Sequence, residues 1–303
     1  MKKELRFPYL TILCILCLFP VTSPTAAAPG GVSSFNRPFP TKQISYSFTL
    51  HNTTNRTLRK LDFWTYAPPK RHPIQQCLHL ETSHPCRTVI DSLGNQVLHC
   101  IFSEIPPYAT LVLRISAELS FSDNLNPLPE EDLQPYLSAE RFIEADDPEI
   151  RRTASLLKQA SPIKTAERIF QWVSGHIQDY RYSGEDRGAL YALRNGRGDC
   201  SEAMYLFIAL CRANGIPARG IGGYVCTEST LLDPEDYHNW SEFYANGAWH
   251  LADPQRKVFM QGRSQYVALR IIGKAADNPM GDDNRFRYVG DGAEVRMNRP
   301  LEM

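Results

Sequence analysis

The hydrophobic pattern of the chain differs between its first and its second half. From residue 43 to residue 120, short apolar runs alternate with turn residues, and the runs are QISYSFTLHN, KLDFWTY, QCLHLET, RTVID, QVLHCIF and TLVLRISAELSF. Several short strands at this spacing are typical of an all-β sandwich. The pattern therefore predicts a small antiparallel β-sandwich domain over residues 29–122.

The pattern changes after an acidic, proline-containing stretch, residues 123–147, which we interpret as a linker laid over the surface. Asp147 followed by Pro148 is typical of the start of a helix. Further on, apolar residues recur at helical spacing at Ala166, Ile169, Phe170, Val173 and Ile177. Residues 148–303 are therefore predicted to form a second domain that mixes helices with strands, which makes the fold class α+β.

The first 28 residues have the three-part layout of a secretory signal peptide. Basic residues come first, an apolar stretch spans residues 7–21, and small residues follow at positions 25–28. A membrane-spanning helix needs about 20 apolar residues, so this stretch is short for a span. We predict cleavage after Ala27 or Ala28 and a secreted or periplasmic mature protein that is not held in the membrane. An uncleaved anchor is the alternative.

The charge of the chain argues against one class of partner, and its cysteines predict a disulfide. The chain has 33 Lys and Arg against 33 Asp and Glu, so it has no basic excess for binding nucleic acid. Export would expose the cysteines to oxidising conditions, and we expect one disulfide within the sandwich. Cys86 with Cys100 is the preferred pair, although a turn at SLGN would place Arg87 opposite Cys100, which leaves Cys77 open as a partner.

Cys200 follows a glycine-rich turn and precedes a helical pattern, with Asp199 as the predicted cap. At a helix N-terminus, the macrodipole and the free N–H groups favour a thiolate and can hold an oxyanion. Asp199 and Glu202 oppose this effect because they place negative charge nearby. A lone cysteine is more often a small buried apolar residue, which is our interpretation of Cys211.

The segment after Tyr237 predicts a β-hairpin, because Asn246-Gly247 is a strong signal for a two-residue type I′ turn. The turn sets these facing pairs: Ala245 with Ala248, Tyr244 with Trp249, Glu242 with Leu251, and Trp240 with Asp253. His238 then lies diagonally across from Asp253, within reach of a hydrogen bond. A thiol, an imidazole and a carboxylate are the three groups of Cys-His-Asp catalysis. The alternative is an aromatic hairpin whose histidine has a structural role.

Four motifs, GDCSEA, CRANGIPARGIGGY, YHNWSEFY and AWHLADP, occur in the order typical of one family. On these motifs the chain resembles the transglutaminase-like domain of the papain-type cysteine-enzyme superfamily, in its exported bacterial form, over roughly residues 161–260. The resemblance implies a papain-like core, with Cys200 as nucleophile, His238 as general base and acid, and Asp253 as the residue that orients His238. It also implies an oxyanion donor upstream of the cysteine, for which Tyr182 is the nearest side chain.

The function expected from these observations is that of an exported cysteine enzyme that acts on amide bonds of a peptide, protein or cell-wall substrate. Water as the acceptor of the thioester gives hydrolysis, which we favour because water is always present, and an amine acceptor gives protein-glutamine transglutamination. No cofactor is implied, and a metal on the three triad residues would need a fourth ligand. A non-enzymatic envelope binding module with a retained triad is the competing class. The oligomeric state is left open.

Overall fold

The computed structural model describes residues 40–122, 132–180, 184–273 and 277–300. The predicted signal peptide at residues 1–28 lies outside them. Within these ranges, no helix is both long enough and apolar enough to cross a membrane.

The described residues form four α-helices and sixteen strands. The helices are α1 (Pro148–Leu157), α2 (Pro162–His176), α3 (Ala189–Asn195) and α4 (Cys200–Ala213). The strands of the first half are β1 (Thr41–Asn52), β2 (Leu58–Ala67), β3 (Gln75–Thr82), β4 (Cys86–Ile90), β5 (Gln96–Ile105) and β6 (Thr110–Phe121). The strands of the second half are β7 (Asp179–Tyr180), β8 (Arg197–Gly198), β9 (Ala218–Val225), β10 (Thr230–Leu231), β11 (Tyr237–Ala245), β12 (Ala248–Asp253), β13 (Val258–Phe259), β14 (Tyr266–Ile272), β15 (Phe286–Val289) and β16 (Ala293–Met297). The mixture of helices and mainly antiparallel strands agrees with the predicted α+β class.

The first six strands are distributed over two mainly antiparallel sheets. One sheet has the order β10-β1-β6-β3 with β16 also paired to β1, and the other has the order β15-β2-β5-β4. Residues of β1 alternate between buried and more exposed positions, as expected for a strand with one face on a core. Buried side chains of both sheets belong to one hydrophobic cluster. Late segments of the chain, β10, β15 and β16, complete these sheets.

A disulfide joins Cys86 and Cys100, which face each other directly across β4 and β5 with their Cα atoms 4.3 Å apart. The preferred pairing is confirmed, and Cys77 is a free thiol. The register expected from a turn at SLGN is wrong by one residue. The connecting loop begins one residue earlier, because the Asp91 carboxylate accepts hydrogen bonds from the N–H groups of Leu93 and Asn95.

The segment predicted as a linker is described from residue 132 and contributes to the protein core. Tyr136 and Ile143 are each 3% exposed, and the Tyr136 ring packs edge-on against Trp249 at 5.0 Å. The end of the segment starts α1 as expected, because the Asp147 side chain accepts the N–H of Glu149 at 2.8 Å. The segment is therefore anchored by its apolar side chains.

The third large sheet has the order β13-β12-β11-β9-β14 and holds α4 against one of its faces. Phe207 of α4 packs on Phe243 of β11 at a ring distance of 6.1 Å. The opposite face carries a separate buried cluster that includes Trp240 and Tyr266. Because α4 is buried along nearly its whole length, its first residue is fixed relative to the start of β11.

Candidate active site

Cys200 is the first residue of α4, as predicted. The Asp199 side chain accepts the N–H of Ser201 at 2.8 Å, and the Glu202 side chain accepts the N–H of Asp199 at 2.9 Å. These two bonds form a capping box, which fixes where the helix begins. The thiol is thereby held at a defined end of a buried helix.

The Cys200 thiol is protonated in this environment. Burial raises the pKa of Cys200 to about 12, and the nearby Asp199 carboxylate acts in the same direction. Hydrogen bonds from the Asn239 backbone and the Ser201 hydroxyl act to lower the pKa, but they do not outweigh burial. The thiolate that the helix N-terminus favours is thus not the resting form, and a neighbouring base has to take the proton.

The predicted hairpin has the expected turn and register. Asn246 has φ 51° and Gly247 has φ 81°, which is the pair of positive angles that a type I′ turn requires. The facing pairs include Ala245 with Ala248, Tyr244 with Trp249, and Glu242 with Leu251. His238 Nε2 donates to Asp253 Oδ2 at 2.7 Å, and both side chains are buried. With Nε2 engaged, Nδ1 is the ring nitrogen available for proton exchange.

The start of β11 contacts the start of α4. The thiol of Cys200 accepts a hydrogen bond from the backbone N–H of Asn239, the residue after His238. The side-chain amide of Asn239 also donates to Ser201 Oγ at 3.0 Å. The start of α4, which carries Cys200, therefore lies beside the start of β11, which carries His238, and His238 is bonded to Asp253.

Tyr266 is a site residue that the sequence analysis missed. Its hydroxyl donates to Asp253 Oδ2 at 2.9 Å, the same oxygen that binds His238, while Asp253 Oδ1 accepts the N–H of Arg256 at 3.1 Å. Burial raises the pKa of Tyr266, and Asp253 adds to the effect, so the hydroxyl keeps its proton and acts as a donor. Tyr266 lies on β14, and no local motif indicates that this strand comes beside the site.

Tyr266→Phe is expected to move the pH dependence of Cys200 alkylation. Without the tyrosine hydroxyl, the Asp253 carboxylate has fewer donors and holds the proton on His238 more tightly. The acid limb of the rate profile should therefore shift to higher pH, with the rate at pH 6 falling about threefold to tenfold. Rates of iodoacetamide labelling between pH 5 and 9 measure the shift. An unchanged profile would show that Tyr266 has only a packing role.

Tyr182, the side chain nearest to the expected oxyanion position, lies outside the described residues. Tyr180 ends β7 beside β8, which leads into Cys200. Its hydroxyl is buried and has no hydrogen-bond partner among the described residues. Burial raises the pKa of Tyr180 to about 12, with a contribution from Asp253, so this hydroxyl is a protonated donor near the triad.

Glu242 lies on the same hairpin but is bound to other partners. Its Oε2 accepts Arg219 Nε at 3.0 Å, and its Oε1 is 3.1 Å from His72 Nε2. Burial acts to raise the pKa of the Glu242 carboxyl, but His72 and Arg219 together lower it to about 2. Glu242 is thus the anion of a buried ionic cluster.

A groove of about 960 Å³ lies beside the site. We call it the Asn239 groove because the Asn239 side chain lines one end. Tyr205, Arg270 and Asn284 also line it, and its rim carries several carboxylates. Among the residues that the structure describes, no group of three or more His, Cys, Asp or Glu side chains is arranged to hold a metal ion.

Comparison with known proteins agrees with the motifs. Residues 151–254 match the family model of the transglutaminase-like superfamily, so this part of the chain is a transglutaminase-like domain. The family match supports a cysteine enzyme of the papain-like class. No curated protein matches the chain significantly.

Solved structures match the chain at low sequence identity. A candidate cysteine protease from Cytophaga hutchinsonii matches with a TM-score of 0.55 and 19% identity, over 87% of this chain and 94% of that chain. The periplasmic domain of TgpA from Pseudomonas aeruginosa matches with a TM-score of 0.38 and 18% identity, over 70% of this chain and 90% of that chain. The first likeness shows that the fold extends beyond the transglutaminase-like domain.

Proposed function

We propose that the protein is an exported cysteine enzyme that cleaves or exchanges amide bonds with Cys200, His238 and Asp253 as its triad. The observation that carries the proposal is the buried hydrogen bond from His238 to Asp253 beside the capped start of α4. A thiol whose pKa is about 12 needs a base, and we assign that role to His238, the residue before Asn239, whose backbone N–H binds the thiol. The amide substrate is a peptide, a protein or a cell-wall component.

The reaction has two halves. As Cys200 Sγ attacks the carbonyl carbon of the amide, its proton passes to His238 Nδ1. His238 returns this proton to the leaving nitrogen, so the C–N bond breaks to give a free amine and a thioester. Water or a second amine then attacks the thioester, and its proton returns through His238 to the thiol. The Cys200 N–H and the Tyr180 hydroxyl are the donors that we assign to the oxyanion.

Two observations support export. The N-terminal residues have the layout of a signal peptide, and the Cys86–Cys100 disulfide is of the kind found in proteins of oxidising compartments. The mature protein would then meet its substrate outside the cytoplasm. Within this proposal, the sheets of the first half support the catalytic domain.

Product analysis tests the proposed reaction. The mature protein is incubated with cell-wall muropeptides or with a protein mixture, with and without a primary amine, and the products are identified by mass. Gain of water indicates hydrolysis, and loss of ammonia with gain of the amine indicates transfer. The Cys200→Ala protein is the control and should give neither product. No product from any substrate, together with a Cys200 no more reactive than an ordinary thiol, would favour the binding-module alternative.

A further inference from the structure

Arg270 is a buried cation without an anionic partner. The residue is 9% exposed, and within the described part of the chain no Asp or Glu forms an ion pair with it. Its Nη1 donates to the neutral Asn284 Oδ1 at 2.5 Å, and its Nε has no hydrogen-bond partner. Its guanidinium carbon lies 5.4 Å from the centre of the Tyr66 ring, but a buried charge that no anion neutralises is still costly to a fold. A guanidinium left in this state is suited to an anion that arrives with a ligand.

The position of Arg270 links it to the catalytic cysteine. In the third large sheet, Arg270 on β14 faces Gly222 on β9, and Gly222 faces Asn239 on β11. Neighbours across strands project from the same face of a sheet, so Arg270 and Asn239 lie on either side of the Tyr237 hydroxyl, which fills the space above Gly222. Two strand spacings separate their backbones by about 10 Å, and extended peptide advances about 3.3 Å per residue. Because the Asn239 N–H binds Cys200, a ligand group on Arg270 would lie within about three residues of the reacting carbonyl.

The charged residues on the rim of the Asn239 groove restrict the kind of anion that can reach Arg270. Asp146, Glu185, Asp186 and Asp282 line the groove together with Arg270. Several carboxylates on the rim repel a polyanion and attract amino groups. A carboxylate that belongs to a peptide with a free amino group satisfies both the rim and the buried arginine.

We propose that Arg270 binds a free carboxylate of a zwitterionic peptide substrate, within three residues of the amide that Cys200 attacks. This proposal rests on the proposed function, because it names the substrate class of the same site. A planar guanidinium forms paired, charge-assisted hydrogen bonds with a carboxylate, which a carboxamide does not reproduce. Arg270 is thus a specificity residue for the carboxylate and takes no part in the transfer of protons.

Alkylation of Cys200 by matched probes measures this specificity. Iodoacetyl-glycyl-glycine carries a carboxylate, and its carboxamide does not; in both, Cys200 sulfur displaces iodide from the same carbon. We expect the mature protein to react about tenfold faster with the carboxylate probe, as judged by peptide mapping at Cys200. Arg270→Gln should reduce the preference to less than about twofold, and Arg270→Lys should retain part of it.

The control variant is Arg141→Gln, which removes an exposed arginine from the rim of the same groove and should keep the preference. Arg270→Gln should also melt no lower than the wild type, because it removes a buried charge that no anion neutralises. A large drop in melting temperature, or an equal preference in wild type and Arg270→Gln, would assign Arg270 a structural role and overturn the proposal.

Binding without reaction separates this proposal from the proposed function. Calorimetry with the Cys200→Ala protein compares the peptide Lys-Gly-Gly with its carboxamide. Tighter binding of the carboxylate form that is lost in Cys200→Ala/Arg270→Gln supports the carboxylate site, even where the thiol of the wild type proves unreactive and the proposed function fails. Equal binding of the two peptides by the Cys200→Ala protein contradicts the site, whatever the reactivity of Cys200.

Discussion

His238→Ala should reduce alkylation of Cys200 by iodoacetamide at pH 7 by about 100-fold or more, with loss of all amide chemistry. A thiol whose pKa is raised to about 12 by burial is almost entirely protonated at pH 7, so it depends on a base. In the variant that base is gone, and the rate should rise about tenfold for each pH unit above 7. Site-specific labelling rates between pH 6 and pH 10 measure both effects.

The matched control is His79→Ala, which removes an exposed histidine from β3. Its labelling rate should equal that of the wild type throughout the pH range. Labelling of His238→Ala at the wild-type rate near pH 7 would mean that Cys200 ionises without His238, and the triad assignment would fail.

Glu242→Gln should lower the free energy of unfolding at pH 7 by about 3 to 5 kcal/mol. The glutamine has the same shape, but it leaves the buried guanidinium of Arg219 without the carboxylate that binds it at 2.9 and 3.0 Å. When one partner of a buried ion pair is removed, the other charge stays buried without compensation, and the folded state carries the full free-energy cost of burying it. Denaturant unfolding of the two proteins at pH 7 measures the difference.

The difference in unfolding free energy between wild type and Glu242→Gln should depend on pH, and the direction of this dependence follows from the pKa of Glu242. The folded-state pKa of Glu242 is lowered to about 2, whereas an unfolded glutamate titrates near about 4.3. The ionised carboxylate therefore stabilises the fold above about pH 4.3, and this contribution is lost as the pH falls from there towards about 2. The gap between wild type and Glu242→Gln should narrow over that range.

Glu149→Gln is the control for Glu242→Gln, because Glu149 pairs with Arg194 at 2.6 Å on the exposed surface. Its unfolding free energy should change little, since water screens an exposed pair. Equal effects of the two substitutions would show that the cluster around Glu242 does not stabilise the buried core.

The start of α4 and the hairpin that carries His238 and Asp253 could be predicted from the sequence, because contacts between residues close in the chain determine both. Asp199 and Glu202 cap a helix that begins at Cys200, and these contacts span three residues. Asn246-Gly247 fixes the facing pairs of β11 and β12, because a two-residue turn of this type allows a single register. The four motifs indicated the family, and the model of the transglutaminase-like superfamily matches residues 151–254.

Tertiary structure decided which distant strands and charges meet. The alternation of apolar residues predicts that a strand exists, but it carries no information about the strand beside it, so β14 came next to β9 without a signal. Tyr266 and Arg270 lie near the candidate site because β14, which carries both, pairs with β9. The same holds for His72, which meets Glu242 from a distant segment of the chain.

The protonation state of Cys200 is the clearest case in which the tertiary structure corrected a local argument. The helix start favours a thiolate through nearby N–H groups, and the sequence displays that feature directly. Burial of the thiol under the surrounding elements raises its pKa to about 12, and the extent of burial depends on the whole fold. The sequence by itself determined the candidate reacting groups and their local geometry, whereas packing decided how firmly the thiol holds its proton, because desolvation depends on all the neighbours of a group at once.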